Sequence, residues 1–234
     1  MALSDDLTAY VKTTFRTQWE TRQGQVVPQP ENLKLSNDAI EFERATVLYA
    51  DLSGSTSMVD SKTWTFAAEI YKAFLYCAAR LITDGCGAIA AYDGDRIMGV
   101  FIDSSQSTNA ATCALKINYA TKSIIMPALK NQYPKTDFTL RHVVGIDTSE
   151  IRSARTGVRG GNDLVWVGRA ANHAAKLTEL NADYATWITG TLFGRLTDKA
   201  KFGGNDNSLM WTKHTWTTMG NMEIYGSAWW WKID

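Results

Sequence analysis

The sequence predicts an α+β protein, a ferredoxin-like sandwich in which helices pack on a sheet rich in antiparallel strands. An apolar run at residues 45–52 has the length and composition of a buried strand. Residues 93–94, Asp-Gly, lie between two apolar runs and predict a tight hairpin. Strand and helix patterns follow one another without the repeated parallel units of a doubly wound sheet.

The composition predicts a full apolar core and no bulk charge. The chain has 234 residues, and 24 Lys plus Arg are balanced by 24 Asp plus Glu. A balanced charge creates no field that would recruit nucleic acid or an anionic membrane, so we expect neither as a partner. The three cysteines lack metal-ligand spacing, and the sequence has neither a secretory leader pattern nor a run of about 18 apolar residues. We therefore expect a soluble, cytoplasmic protein.

The N-terminal part of the chain is predicted to be separate from the main domain. Apolar residues recur with helical spacing over residues 4–20, and the predicted apolar side carries Leu7, Tyr10, Val11, Phe15 and Trp19. Residues 23–30 contain two prolines and are expected to form an extended linker. We thus predict a helix and linker over residues 1–32 and one domain over residues 33–234.

The other elements follow from periodicity and from Gly and Pro signals. Helical spacing of apolar residues predicts helices at 62–82, 107–129, 168–180 and 191–196. Apolar runs predict strands at 88–92, 95–102, 138–146, 164–167 and 185–189. Residues 147–163 are polar and rich in Gly and Arg, which favours an irregular excursion. The Trp-rich residues 224–233 are expected to form a final hairpin that covers the sheet.

The strand at 45–52 is predicted to deliver Asp51 to a phosphate-binding turn. Tyr49 and Asp51 share one face of this strand because side chains alternate with a period of two. The residues that follow have small side chains and offer several backbone N–H groups to phosphate oxygens; they are Ser53, Gly54, Ser55 and Thr56. The alternative is a strand that ends in an ordinary turn containing aspartate.

Asp95 favours a metal site over that alternative. It lies at the hairpin turn, where Asp93 shares its face, and a hairpin packed beside the first strand would bring Asp95 close to Asp51. Two carboxylates at one site repel each other unless a cation lies between them. Carboxylate oxygens suit Mg²⁺ or Mn²⁺, and such a pair can hold two ions about 4 Å apart.

Three segments resemble the signature segments of the class III nucleotidyl cyclases. They are Tyr49-Ala-Asp-Leu-Ser-Gly-Ser-Thr56, Tyr92-Asp-Gly-Asp-Arg-Ile-Met-Gly-Val-Phe101 and Val167-Gly-Arg-Ala-Ala-Asn-His-Ala-Ala-Lys176. The resemblance covers residues 43–190, and its first two segments are the more specific ones. It implies a cyclase catalytic domain that works as a homodimer, with the active sites between protomers.

The resemblance also implies roles for individual residues. Asp51 and Asp95 match the two metal-binding aspartates of the family, with the carbonyl group of Leu52 as a further ligand. Asn172 matches the asparagine that positions the ribose. By themselves, Asn172 and the lysine one turn after it, Lys176, would fit an ordinary solvated helix face equally well.

The residue that stabilises the transition state departs from the family pattern. Four residues after Asn172 the family has an arginine, and this chain has Lys176. A lysine supplies positive charge but lacks the planar fork of a guanidinium. Arg169 or Arg155 is the alternative source of that function.

The residues that read the base depart from the family pattern as well. Where purine-specific members carry polar side chains, this chain has Ala91 and Val165. Tyr49 could narrow the pocket for a smaller base, with Asp93 as a second candidate contact; the alternative for Tyr49 is a core residue. The resulting pattern resembles the bacterial pyrimidine cyclases of Pycsar antiphage defence.

That resemblance implies conversion of UTP, or of CTP, into its cyclic monophosphate, which a separate effector protein would sense. The alternatives are a cytidylate or adenylate cyclase and, from another class, a catalytically inactive cyclase-like domain that only binds nucleotides. For the triphosphate itself, the sequence offers Arg96 and Lys232 as candidate cations.

Overall fold

A computed structural model describes residues 2–233 of the chain. The strands found within these residues are β1 (Glu20–Gln23), β2 (Asp38–Ser53), β3 (Ala88–Asp93), β4 (Arg96–Phe101), β5 (Arg141–Val158), β6 (Gly161–Val167), β7 (Thr186–Thr189), β8 (Phe202–Gly203), β9 (Ser208–Leu209), β10 (Thr212–Trp216) and β11 (Met222–Ser227). The helices found there are α1 (Leu3–Arg16), α2 (Ser55–Ser61), α3 (Trp64–Asp84), α4 (Gln106–Ala120), α5 (Met126–Gln132), α6 (Arg169–Leu177), α7 (Gly190–Phe193) and α8 (Asp198–Lys201).

Over residues 2–233, nine strands form one mostly antiparallel sheet, and β8 pairs with β9 apart from it. The order across the sheet is β10-β11-β7-β5-β2-β4-β3, while β1 pairs with β2 and β6 pairs with β5. The β1–β2 and β5–β7 pairs are parallel. The predicted α+β class with an antiparallel-rich sheet is therefore confirmed.

The two long strands β2 and β5 form the centre of the sheet. They pair antiparallel from Ser53 opposite Arg141 to Ala39 opposite Ala154, with one irregularity between Phe42 and Ala45. Because side chains alternate along a strand, each long strand contributes to two cores. After this irregularity, even-numbered residues of β2 such as Leu48 pack towards α3 and α4, and odd-numbered ones such as Val47 pack towards α6.

Helix α6 lies close against the sheet because small residues allow it. Its buried side carries Ala170, Ala171 and Ala174, and it crosses β5 at Gly145. A Cβ atom at Gly145 would lie 2.1 Å from the carbonyl oxygen of Ala174. Glycine at this position therefore sets the distance between the helix and the sheet.

The polar segment 147–163 is not an irregular excursion, as the sequence pattern had suggested. Strand β5 continues to Val158, and β6 returns from Gly161 as its hairpin partner. Gly157 and Gly160 provide the positive φ angles at the hairpin tip. The polar residues are accommodated because they alternate with buried ones such as Ile151, and because pairing with β2 and β6 satisfies the backbone.

The N-terminal segment also differs from its prediction. Helix α1 ends at Arg16 rather than at residue 20, and none of its residues is buried. Residues 20–23 join the sheet as β1, and the side-chain amide of Asn37 donates to the carbonyl groups of Thr14 and Thr17. These contacts tie the segment to the sheet, and the division of the chain at residue 32 stays a prediction.

The predicted C-terminal hairpin is displaced towards the N-terminus. The hairpin consists of β10 and β11, which extend the sheet beside β7. Residues 228–233 form no strand; the N–H of Trp231 donates to the carbonyl of Leu115, and Asn118 donates to that of Trp229. The Trp-rich tail therefore covers α4, because its aromatic side chains add to the core on that face.

The predicted helix at 62–82 is present as α3, which Thr63 caps, and the short helix α2 precedes it. The predicted helix at 107–129 is divided, because residues 106–132 form α4, a π-helical turn at Thr121–Ile125, and α5. Pro127 is tolerated because it lies in the first turn of α5. Over the part of the chain described, no helix is long and apolar enough to cross a membrane.

We predict that Gly145→Ala destabilises the protein. The added methyl group would meet the backbone of α6, so the free energy of unfolding should fall by about 1–3 kcal/mol, and Tm by roughly 3–10 °C, in a thermal melt. Gly194→Ala is the matched control, because its nearest neighbouring atom would be 3.6 Å away. Equal melting temperatures for the two variants would contradict the close approach of α6.

Candidate active site

Asp51 and Asp95 lie close together at one end of the central strands. Asp51 lies near the end of β2, and Asp95 lies in the two-residue loop between Asp93 of β3 and Arg96 of β4. Gly94 takes a positive φ in this loop. The tight turn therefore holds the second carboxylate beside the first, as the sequence predicted for the hairpin.

The surroundings of Asp51 raise its pKa to about 6. Burial is the largest cause, and the nearby carboxylate of Asp95 acts in the same direction. Arg96 and the backbone N–H of Leu52 oppose the shift, but they do not cancel it. The folded protein thus holds Asp51 in an environment that disfavours its negative charge.

The donor set fits a hard divalent cation. One carboxylate oxygen of Asp95, Oδ2, is buried and has no hydrogen-bond partner, and Asp51 is half-buried beside it. Within residues 2–233 no group of three or more His, Cys, Asp or Glu side chains forms a metal cluster. A cation here would therefore take its protein ligands from two carboxylates and from backbone oxygens such as that of Leu52, which suits Mg²⁺ or Mn²⁺.

Tyr49 lies in a row of side chains that runs across three strands. It pairs with Met98 of β4, which pairs in turn with Ala91 of β3. The guanidinium of Arg96 lies 5.3 Å from the centre of the Tyr49 ring and 2.8 Å from the carboxylate of Asp93. Tyr49 is only partly buried, and it lines the face on which Asp51 lies.

The predicted phosphate-binding turn has the expected backbone. Gly54 takes a left-handed conformation, and α2 begins at Ser55. Ser53 is exposed and pairs with Arg141 of β5, so both side chains lie on the face of Asp51. Thr56 is exposed in the first turn of α2.

Helix α6 presents its predicted residues on one exposed face. Asn172 and Lys176 lie one turn apart and are both exposed, while the Nζ of Lys176 lies 3.8 Å from the sulfur of Met219. The guanidinium of Arg169 is already engaged, because its Nη2 donates to the carbonyl of Thr148 at 2.7 Å and its Nε lies 3.4 Å from Asp147. These two contacts hold the side chain of Arg169 against β5 and so help to fix α6 on the sheet.

The remaining predicted residues lie further from the carboxylates. Arg155 donates to Asn162 and to the carbonyl of Leu33, at the opposite end of β5 from Arg141. Val165 is 41 % exposed and points away from the core, whereas the neighbouring Trp166 stacks on Phe42. Their predicted parts in catalysis and base selection stay predictions.

Three residues of the site were missed or ranked low from the sequence. Arg96 belongs to the site because continuing the β2–β4 register brings it opposite Asp51. Arg141 can be assigned to the site only from the structure, because the pairing of β5 with β2 places it opposite Ser53. Tyr71 of α3 lies near both carboxylates, whose charges add to the effect of burial in raising the pKa of its hydroxyl. Lys232, by contrast, lies in the tail that covers α4.

Solved cyclase domains share this fold. The guanylyl cyclase Cya2 matches 81% of this chain and 93% of its own, with a TM-score of 0.66 and 18% identity. A dimeric guanylyl cyclase domain from the aquatic fungus Blastocladiella emersonii matches 80% of this chain and 97% of its own, with a TM-score of 0.62 and 15% identity. The chain therefore has the fold of a class III nucleotidyl cyclase catalytic domain.

Curated relatives define the family more closely. A uridylate cyclase of Burkholderia cepacia is 53% identical and one of Xanthomonas perforans is 50% identical, each over 100% of both chains. A third uridylate cyclase, from Rhodovulum sp. (strain MB263), is 35% identical over 98% of both chains. No protein-family model matches the sequence. The chain belongs to the uridylate cyclase family and is a nucleotidyl cyclase, which confirms the resemblance found in its three segments.

We predict that Asp51→Asn stabilises the metal-free protein at neutral pH. The pKa of Asp51 rises from 3.8 to about 6 on folding, so its charge opposes folding above pH 6 and this penalty vanishes as pH falls towards 4. After allowance for solvent screening, the gain should be about 1 kcal/mol, which corresponds to roughly 2–4 °C in Tm at pH 7.5 and to almost no change at pH 4.

Thermal melts in the presence of a chelator provide the measurement, and exposed Asp60→Asn is the control that should not respond. In a second set of melts, Mn²⁺ in place of the chelator should raise the Tm of the wild-type protein but not that of Asp51→Asn. A Tm for Asp51→Asn that stays below the wild-type value at pH 7.5 would contradict the predicted charge penalty.

Proposed function

We propose that this nucleotidyl cyclase converts UTP into 3′,5′-cyclic UMP and pyrophosphate with Mg²⁺ or Mn²⁺, two ions per active site, held by Asp51 and Asp95. The observation that carries this proposal is the pair of adjacent carboxylates beside Tyr49. The full-length relatives named uridylate cyclase support the choice of nucleotide.

In the proposed reaction, the 3′-hydroxyl oxygen of the ribose forms a bond to the α-phosphorus. The bond from that phosphorus to the bridging oxygen of the pyrophosphate breaks, and the hydroxyl proton passes to solvent. When bound, divalent ions lower the pKa of the hydroxyl group and neutralise charge on the phosphates. The protein contributes by holding the hydroxyl in line with the bond that breaks.

Several of the predicted residues would have a part in this arrangement. The carboxylates of Asp51 and Asp95, with the carbonyl of Leu52, provide oxygen ligands. The backbone N–H groups of residues 53–56 lie where terminal phosphates would bind, with Arg141 on the same face. Asn172 would orient the ribose, and Lys176 would place positive charge near the transition state.

The row of side chains around Tyr49 supports a small base. Ala91 and Met98 lie beside the tyrosine ring without a polar group that could read a purine edge. Arg96 covers that ring, and its Nε is buried without a hydrogen-bond partner. A guanidinium only donates hydrogen bonds. At the 4-position of the base, where uracil has a carbonyl oxygen and cytosine an amino group, it therefore suits uracil better.

A homodimer would complete the site. Asn172 and Lys176 are exposed on α6, so a second protomer could bring its own carboxylates to them. A dimeric guanylyl cyclase domain with the same fold supports this arrangement. In the cytoplasm of an infected cell, the cyclic product would act as the signal of antiphage defence and be sensed by a separate effector protein.

We predict that UTP is the preferred substrate among the four ribonucleoside triphosphates. Each is incubated with the protein and Mn²⁺, and cyclic nucleotide and pyrophosphate are both quantified by chromatography. Cyclic UMP and pyrophosphate should appear in equal amounts, and Asp95→Asn should form neither. Cyclic AMP or cyclic CMP as the main product would contradict the substrate, and binding without pyrophosphate release would indicate an inactive nucleotide-binding domain.

We predict that Tyr49→Ala relaxes the choice of base. Loss of the ring enlarges the pocket, so the ratio of kcat/KM for UTP to that for ATP should fall by roughly tenfold or more, equivalent to about 1.4 kcal/mol. Tyr76→Ala, which removes an exposed tyrosine from α3, is the matched control. If the ratio does not change, Tyr49 is a core residue and has no part in the choice of base.

A further inference from the structure

Asp147 is a carboxylate buried below the helix that carries Asn172 and Lys176. It lies on β5 opposite Val47 of β2, and it is 0% exposed. It is neither a predicted metal ligand nor part of the three signature segments. A buried carboxylate is unfavourable unless charged or hydrogen-bonding partners surround it, so its neighbours indicate why it is tolerated.

Two of its neighbours come from α6. The Nδ1 of His173 lies 3.1 Å from Oδ2 of Asp147, and the Nε of Arg169 lies 3.4 Å from the same oxygen. The third neighbour is the hydroxyl of Thr189, which donates to Oδ1 and also accepts the N–H of Leu192 at the start of α7. We call Asp147, Arg169, His173 and Thr189 the Asp147 cluster.

The cluster holds the helix on both sides of Asn172. Arg169 begins α6 and His173 follows Asn172 directly, so the two tethered residues bracket the exposed asparagine. The ring of Trp216 closes the cluster, since it meets the imidazole of His173 edge to face with centroids 5.8 Å apart. Any rotation of α6 about its axis would break these contacts and move Asn172 with them.

The other contacts between α6 and the sheet do little to prevent such a rotation. Apart from His173, the buried side of α6 consists of three alanines and Leu177. Alanine side chains are too short to interdigitate with a sheet, so they favour close approach without selecting one orientation. The contacts of Arg169 and His173 with Asp147 are the polar contacts that can select one rotation of this helix.

We propose that Asp147 is a positioning residue for the cyclase reaction: through Arg169 and His173 it sets the orientation of α6, and with it the positions of Asn172 and Lys176. The proposal rests on the proposed roles of those two exposed residues. Replacing a buried ion pair by apolar groups often leaves stability unchanged. Orientation of the helix is therefore a better explanation for the cluster than stability alone.

Asp147→Asn tests the proposal because it keeps the shape and removes the charge. Misplacement of a catalytic group by about 1 Å can reduce the rate on the order of 10²-fold. We expect kcat for UTP to fall by roughly 30-fold or more, while KM changes by less than about threefold because the metal and phosphate ligands are untouched. Binding of Mn²⁺ alone, followed by calorimetry, should stay as in the wild-type protein.

Asp38→Asn is the matched control. Asp38 is another buried aspartate, 2% exposed, and it is paired with an arginine, Arg22, near the N-terminus. It should lose stability in a urea titration as Asp147→Asn does, but keep the wild-type kcat. Equal losses of kcat in the two variants, or loss of Mn²⁺ binding in Asp147→Asn, would overturn the proposal.

A variant series separates this inference from the proposed function. Asn172→Ala/Lys176→Ala should have a kcat similar to that of the same protein carrying Asp147→Asn as well, because Asp147 acts through those two residues. A further loss of kcat on adding Asp147→Asn would overturn the positioning role. If Asn172→Ala/Lys176→Ala alone retains full kcat, the proposed roles of Asn172 and Lys176 fail, and with them the proposed function of this helix face.

If Asp147→Asn does not fold, His173→Leu cuts the tether next to Asn172 with an apolar residue that suits the buried face. The same loss of kcat without loss of Mn²⁺ binding is expected, and wild-type kcat would overturn the proposal.

Discussion

The antiparallel pairing of β2 with β5 is the constraint on which the rest of the structure depends. It runs from Ser53 opposite Arg141 to Ala39 opposite Ala154, and it divides the side chains of both strands between two faces. One face carries mostly apolar residues such as Leu48, with a few buried polar ones such as Thr46 and His142, and it receives α3 and α4. The other face carries Tyr49, Asp51 and Asp147 and lies below or beside α6. The pairing of β2 with β5 therefore brings the proposed metal ligand Asp51 and the buried carboxylate that contacts α6 to the same side of the sheet.

That division explains why two buried or half-buried carboxylates with different surroundings occur on one face. Asp147 has Arg169 and His173 of α6 and the hydroxyl of Thr189 of β7 as neighbours, and the guanidinium of Arg169 provides an opposing charge within the protomer. Asp51 has another carboxylate as its neighbour, and its pKa is raised to about 6. Carboxylates with a raised pKa, such as that of Asp51, cluster at functional sites, because a bound ligand can compensate their unfavourable charge. The carboxylate of Asp147 therefore has a guanidinium beside it within the protomer, whereas the carboxylates near the hairpin leave Asp51 with a raised pKa.

Predictions from the sequence were most accurate where the signal was local. The hairpin around Gly94, the strand that ends at Asp51 and the shared exposed face of Asn172 and Lys176 all depend on residues close in sequence. The segment 147–163 was wrongly predicted because its polar residues are paired by β2, which is distant in sequence, and by the hairpin partner β6. Arg141 was missed for the same reason, since only the β2–β5 register brings it to Ser53. The individual roles of the site residues stay predictions.

By itself, the sequence determined the α+β class, the turn that carries Asp95 and the family to which the chain belongs, because these are written in short runs of residues with fixed spacing. Only the tertiary structure decided that Arg96 lies over Tyr49, that Arg169 is held by Asp147 and that the Trp-rich tail covers α4. Each of these contacts joins residues that are distant in sequence or unremarkable in composition. They form because the packing of helices on a twisted sheet sets which side chains meet, and no local pattern contains that information.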